Sequence, residues 1–213
     1  MNFGNVLIFG DSYSTFKDSV PEGYAVYYTT TRDTGPNITK ISDTWWNALI
    51  TETNSTLILN DSWSGSTIGY TGYDGVDNSK TSSFIFRLRK MNERKFFKEN
   101  RIDTVFVFGG TNDNWADAPI GNTKYKNFKE NDFYSVLPAV CHFLESLKES
   151  APEARIIFII NSELKYEITM GIKRACRHYG IEHVLLSGID KECGHPTVKG
   201  MRKIKKQIFA KLK

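Results

Sequence analysis

Five short apolar runs, each separated from the next by a segment of helical periodicity, constrain this chain more than any other feature. The runs are Asn5 to Phe9, Thr56 to Leu59, Thr104 to Phe108, Arg155 to Ile160 and His183 to Leu186. Between them, the residue pattern predicts helices over Thr44 to Thr53, Phe84 to Glu99, Phe133 to Ser150 and Glu167 to Tyr179. A last helix carries Val198, Met201, Ile204, Ile208 and Leu212 on one face. Continuous Val, Ile, Leu and Phe strands are the kind buried on both faces, and strand–helix alternation makes them parallel. The expected fold class is therefore α/β, with a central parallel sheet of about five strands covered by helices. With 213 residues and 40% hydrophobic content the chain can bury one good core, and it reads as one domain over 1–213.

Several function classes are disfavoured at once. No stretch approaches the roughly 18 apolar residues of a membrane span, so no membrane partner is expected. The N-terminus runs directly into the first strand without the basic region, apolar core or cleavage site of an export signal. The cytoplasm is the default compartment on that reading, although a secreted chain trimmed of its signal would look the same. Cys141, Cys176 and Cys193 are odd in number and widely spaced, which suggests reduced thiols and neither a disulfide framework nor a metal cluster. The formal charge of +4 owes much to Lys199, Arg202, Lys203, Lys205, Lys206, Lys211 and Lys213. They form the solvated face of an amphipathic helix, and no base-reading motif accompanies them, so no nucleic-acid partner is expected.

In an open parallel sheet, ligands bind beyond the carboxyl ends of the strands. After the first strand come Gly10, Asp11 and Ser12; after the second, Asn60 through Ser64 and Gly65; after the third, Gly109, Gly110, Thr111, Asn112 and Asp113. The last strand leads into Asp190, Glu192, Gly194 and His195. Polar and glycine residues thus converge on one rim. Three long irregular segments, Phe16 to Ser42, Ser66 to Ser82 and Ala116 to Asn131, lie at the same rim, either shaping a substrate site or packing on the surface.

A serine hydroxyl at a strand-to-helix turn projects into the crevice, but it is a poor nucleophile without a base, commonly a histidine. The chain has four histidines. His142 and His178 lie in predicted helices and His183 begins the last strand, all positions that favour a structural role. His195 alone sits in a rim loop, before Pro196 and the last helix. Asn112 either ends its strand as an Asx-turn or offers its amide to a developing oxyanion without adding charge. Asp11 is expected to stabilise the turn. Trp45 and Trp46 follow a cap at Ser42 or Asp43, with core packing the expected role of at least one.

Gly10-Asp11-Ser12, Asn60-x-x-x-Ser64-Gly65, Gly110-Thr111-Asn112-Asp113 and His195-Pro196-Thr197 resemble, in order, the four sequence blocks of the SGNH (GDSL-like) hydrolases. The resemblance spans nearly the whole chain. It implies a flavodoxin-like, three-layer α/β/α sandwich and a metal-free serine esterase. By matching positions it implies Ser12 as nucleophile, His195 as base, and an oxyanion hole made by the Ser12 N–H, the Gly65 N–H and the Asn112 side chain. The chain departs from the pattern at the third triad member, where Glu192 occupies the position usually held by aspartate three residues before the histidine. Glu192 is favoured slightly over Asp190, and a dyad oriented by a backbone carbonyl is a further alternative. The second block also lacks its usual glycine-containing turn, and Trp63 alters the pocket floor.

The expected substrate is a small-molecule or carbohydrate ester. Tyr24, Tyr27 and Tyr28 can stack on a sugar face, which favours O-acetyl groups on a carbohydrate, or they can pack the loop; no long apolar lid suggests a true lipase. One rival is a catalytically silent glycan-binding module with the same fold. Another is a thiol hydrolase using Cys193. Gly109-Gly110 fits neither phosphate-loop nor dinucleotide spacing, so no cofactor is implied.

Overall fold

The computed structural model describes residues 1–31 and 35–212. Positions 32–34 of the Phe16 to Ser42 segment, and Lys213 of the basic C-terminal face, lie outside the described residues. Five parallel strands form the central sheet: β1 (Asn5–Gly10), β2 (Thr56–Ser62), β3 (Thr104–Phe108), β4 (Arg155–Ile160) and β5 (Glu182–Leu185). Their spatial order is β2-β1-β3-β4-β5. A two-stranded antiparallel hairpin, β6 (Lys191–Glu192) with β7 (His195–Pro196), follows the sheet.

The long helices are α1 (Trp45–Thr53), α2 (Phe84–Glu93), α5 (Val136–Ser150), α6 (Tyr166–Tyr179) and α7 (Val198–Leu212), with short helices α3 (Phe96–Glu99) and α4 (Thr111–Trp115). They cover both faces of the sheet, as the side-chain alternation of its strands requires. Leu7 and Phe9 of β1, Val105 and Val107 of β3, and Phe158 of β4 pack against Phe84, Val140 and Ile172 from α2, α5 and α6. Val6, Ile8, Phe106, Phe108 and Ile157 point the other way, onto Trp45, Leu49, Met201 and Ile204 from α1 and α7. The three-layer α/β/α arrangement implied by the resemblance is therefore present. No helix among the described residues is long and apolar enough to cross a membrane.

The differences from the expected elements have local causes. The segment expected to be one helix from Phe84 to Glu99 is two, because Lys95 adopts a left-handed backbone (φ 58°) between α2 and α3. The segment expected to be helical from Phe133 starts as a three-ten turn, Glu130–Tyr134, before α5. The cap of α1 is Thr44 rather than Ser42 or Asp43: its hydroxyl accepts the Asn47 N–H at 3.3 Å. Both Trp45 and Trp46 are buried.

Candidate active site

The chain passes from β1 to β2 on one side and returns to β3 on the other, so the crevice of this sheet opens between the carboxyl ends of β1 and β3. Ser12 and Asn112 leave those two strands directly. The β1 exit is tight: a Cβ at Gly10 would stand 2.3 Å from Ser62 Oγ and 2.7 Å from Ser14 Cβ, so only glycine fits. Asp11 then accepts the Tyr13 N–H at 3.0 Å and caps a three-ten turn, Ser12–Ser14. The turn holds Ser12 at the rim with 3% of its surface exposed.

His195 comes to Ser12 from 183 positions away, with Nε2 at 2.9 Å from Oγ. The β6–β7 hairpin presents it: Cys193 and Gly194 both adopt positive φ (49° and 76°), which bends the chain so that His195 Nδ1 lies 3.0 Å from the Cys193 carbonyl. Two tyrosines pin the chain on either side of the ring. Tyr13 OH donates to the Gly194 carbonyl at 2.5 Å and Tyr28 OH to the Pro196 carbonyl at 3.0 Å. The two carboxylates considered from sequence sit otherwise. Asp190 accepts from Thr197 Oγ1 and has Lys199 Nζ at 3.9 Å, and Glu192 is an exposed residue of β6 paired through its backbone with His195. Cys193 is exposed, and it is its carbonyl that faces the imidazole.

Asn112 is buried at the start of α4. Its Oδ1 accepts from Tyr73 OH at 2.7 Å and its Nδ2 donates to the Ser66 carbonyl at 2.9 Å, which fixes the amide and uses one of its two N–H bonds. Gly65, one residue before Ser66, has φ 81° and open space where a Cβ would be. The loop carrying Gly65 is tied to the β3 exit by Asp113, whose two oxygens accept the Ile68 N–H at 3.0 and 2.9 Å, with the Gly69 N–H at 3.1 Å.

Beneath the site lies a residue that helical periodicity alone would leave unremarked. Arg87 of α2 is 2% exposed and ion-pairs with Asp61 of β2. Its NH2 also reaches the Gly10 carbonyl at 3.2 Å and Ser66 Oγ at 3.3 Å, so one guanidinium joins the β1, β2 and Gly65 segments. Burial raises the Asp61 carboxyl, and Arg87 opposes that rise. Among the described residues Asp11 and Asp113 have no ion-pair partner of their own. Burial pushes Asp113 up to about 6. Burial pushes Asp11 up to about 7, with the charge of Asp113 adding to the rise while the Tyr13 N–H and Arg87 oppose it. A carboxyl that burial leaves partly neutral beside the serine opposes a developing oxyanion less than a full carboxylate would.

His142 and His178 lie in packing contacts. His142 stacks on Phe133 at 4.3 Å between centroids, and burial lowers it to about 4. His178 stacks on Tyr125 at 3.9 Å. The three tyrosines of the first long loop separate: Tyr28 is buried, Tyr27 stacks on His195, and Tyr24 pairs with Trp63 at 4.3 Å. Tyr24 and Trp63 line a cleft of about 710 Å³ together with Lys80, Phe86 and Arg94.

The family model of the GDSL-like lipases and acylhydrolases matches residues 4–212. No curated protein matches the chain. Two solved structures assigned to the GDSL-like lipases are similar over almost their whole length. One, from Bacteroides uniformis, is 43% identical, with 97% of this chain and 94% of that one covered and a TM-score of 0.90. The other, from Bacteroides ovatus, is 37% identical, with 98% and 97% covered and a TM-score of 0.90. An acetyl xylan esterase from the rumen bacterium Butyrivibrio proteoclasticus is 18% identical, covers 100% of this chain and 64% of its own, and shares the fold at a TM-score of 0.61. With the family model matched along the chain and two relatives of 37% and 43% identity sharing the fold over almost its whole length, the chain belongs to the GDSL-like lipase/acylhydrolase family of serine hydrolases.

Proposed function

We propose that this protein hydrolyses carboxylic esters of short acyl groups, with O-acetyl groups on a carbohydrate as the substrate class, through an acyl-enzyme on Ser12. The observation that carries the proposal is the 2.9 Å contact between Ser12 Oγ and His195 Nε2. Oγ bonds to the ester carbonyl carbon while its proton passes to Nε2, and the carbonyl π pair moves onto oxygen. The Ser12 N–H, the Gly65 N–H and the second N–H of the Asn112 amide receive that oxyanion. Collapse breaks the bond to the alkoxy oxygen, which takes the proton from Nε2 and leaves as alcohol. Water then adds to the acyl-enzyme by the same route and releases the acid. The Cys193 carbonyl, 3.0 Å from Nδ1, helps to orient the imidazole.

The crowding at Ser12 supports the short acyl group: the residue is 3% exposed, with Tyr13, Tyr27 and Trp115 ringing its histidine partner. The Tyr24–Trp63 pair supports the carbohydrate, since Trp63 immediately precedes the Ser64-Gly65 turn and its cleft offers aromatic faces and charged side chains of both signs to a sugar. A fluorophosphonate probe tests the nucleophile directly. It is expected to leave one adduct, on the peptide containing Ser12, and to abolish release of acetate from an acetylated oligosaccharide. An adduct on another residue, or retained turnover after labelling, would sink the assignment. Acetate esters are further expected to be hydrolysed with kcat/KM roughly tenfold or more above octanoate esters.

Asn112→Ala is expected to lower kcat by about 10²–10³-fold with little change in KM, because its amide meets the oxygen only once that oxygen is charged. A rise in KM at unchanged kcat would place Asn112 in ground-state binding instead.

A further inference from the structure

The long loop after β2 meets the start of α4 twice. At its root, Asp113 accepts the Ile68 and Gly69 N–H groups. At its tip, Tyr73 OH lies 2.7 Å from Asn112 Oδ1. The tip is a short antiparallel turn, in which Thr71 bridges to Asp77 and the Gly72 N–H donates to the Val76 carbonyl at 2.7 Å. The Val76 N–H returns to the Tyr73 carbonyl at 3.0 Å, so the backbone that carries the phenol is itself hydrogen-bonded. Tyr73 is 40% exposed, whereas the asparagine it reaches is 2% exposed.

The two ends of an amide have opposite uses in an oxyanion hole. An N–H stabilises the charged oxygen, and an amide oxygen in its place repels it. The Ser66 carbonyl can only accept, so the Asn112 atom 2.9 Å from it is Nδ2 and the atom beside Tyr73 is Oδ1. The phenol is therefore the donor in that contact. Turning the amide over would set Oδ1 against the Ser66 carbonyl, which fixes its orientation, while the bond from Tyr73 holds its plane from the other end. Donation into Oδ1 also draws electron density from the amide and makes its second N–H a stronger donor. Burial and the charges of Asp11 and Asp113 push the Tyr73 phenol up to about 12, so it remains a donor through the neutral range.

We propose that Tyr73 is a positioning residue of the oxyanion hole, whose hydroxyl holds and polarises the Asn112 amide so that its second N–H meets the charged oxygen. The inference rests on the assignment of Asn112 to the hole made above. Tyr73 touches no reacting atom in this arrangement, so its whole contribution passes through Asn112 and is made in the transition state.

Tyr73→Phe keeps the ring and removes the hydroxyl. With p-nitrophenyl acetate it is expected to lower kcat roughly 5–20-fold at a KM within about twofold of the parent, with Tm within about 2 °C. The discriminating measurement is the same substitution made in Asn112→Ala. With no amide left to hold, loss of the hydroxyl is expected to change kcat by less than about twofold there. A merely structural role would cost the same factor in both backgrounds. Equal losses in the two backgrounds, or a rise in KM at unchanged kcat, would overturn the role of Tyr73. So would Tyr73→Phe turnover like that of the parent beside a large loss in Asn112→Ala, an outcome that leaves the Asn112 assignment standing. Unchanged kcat in Asn112→Ala would instead overturn that assignment, and the role of Tyr73 with it.

Discussion

Ser12→Ala and His195→Ala are each expected to lower kcat for p-nitrophenyl acetate by about 10⁴–10⁶-fold, with the double variant hardly worse than either single one. The magnitude follows from the division of labour in the site. Without His195 Nε2 at 2.9 Å, Ser12 Oγ has no acceptor for its proton and no donor for the leaving alkoxide. Without Oγ, the imidazole has nothing to activate but water. The two act as one unit, so their losses do not add. Both variants are expected to fold, since among the described residues the Ser12 hydroxyl bonds to the histidine alone, and the hairpin is pinned by Tyr13 and Tyr28 through backbone carbonyls. Near-normal melting with lost turnover is the expected pair of readings. Activity in Ser12→Ala above about 1% of the parent would rule out the covalent route on this residue.

How far the site could be read before the fold was known depends on how local its signals are. The five strands were legible because buried parallel strands are apolar along their whole length, and Ser12 and Asn112 were legible because they follow two of those strands directly. The His195 position was legible because it alone among the histidines lies in a loop before the last helix. The approach of the Cys193 carbonyl to the imidazole was not, because the β6–β7 hairpin has two residues per strand, too few for any alternation, and a left-handed Cys193 has no sequence signature. The break at Lys95 is similar: no glycine or proline marks it. The α4 helix is five polar or aromatic residues without a period, so it read as a loop. Tyr27 lay in an irregular segment whose contacts are set by residues far along the chain. Arg87 was the least legible, since a polar residue in an amphipathic helix ordinarily faces water, and its buried partners, Asp61 and the Gly10 carbonyl, stand 26 and 77 positions earlier.

Arg87→Met is expected to destabilise the fold by about 3–5 kcal/mol, seen as a fall in Tm of roughly 6–20 °C. The side chains of Arg87 and Asp61 are 1% and 2% exposed, so the variant leaves a buried carboxylate without its counter-ion and the Gly10 carbonyl and Ser66 hydroxyl without a shared donor. The sign of its pH dependence follows from Asp61. Burial already raises that carboxyl above its unfolded value, and removing the guanidinium raises it further. The folded variant therefore holds the proton more tightly than the unfolded chain. Its deficit is smallest at pH values where both states are protonated, and it widens as pH rises through the usual carboxylate range toward neutrality. Denaturant unfolding at pH 5 and pH 8 checks this, with the larger loss expected at pH 8. Arg87→Met with Asp61→Leu separates the pair from the rest of the cluster. Recovery of most of the lost stability in the double variant is expected if the orphaned carboxylate is the main cost. A double variant no more stable than Arg87→Met would instead make the bonds to Gly10 and Ser66 the main contribution of Arg87, and would tie the integrity of the β1 exit, where Ser12 stands, to that one side chain.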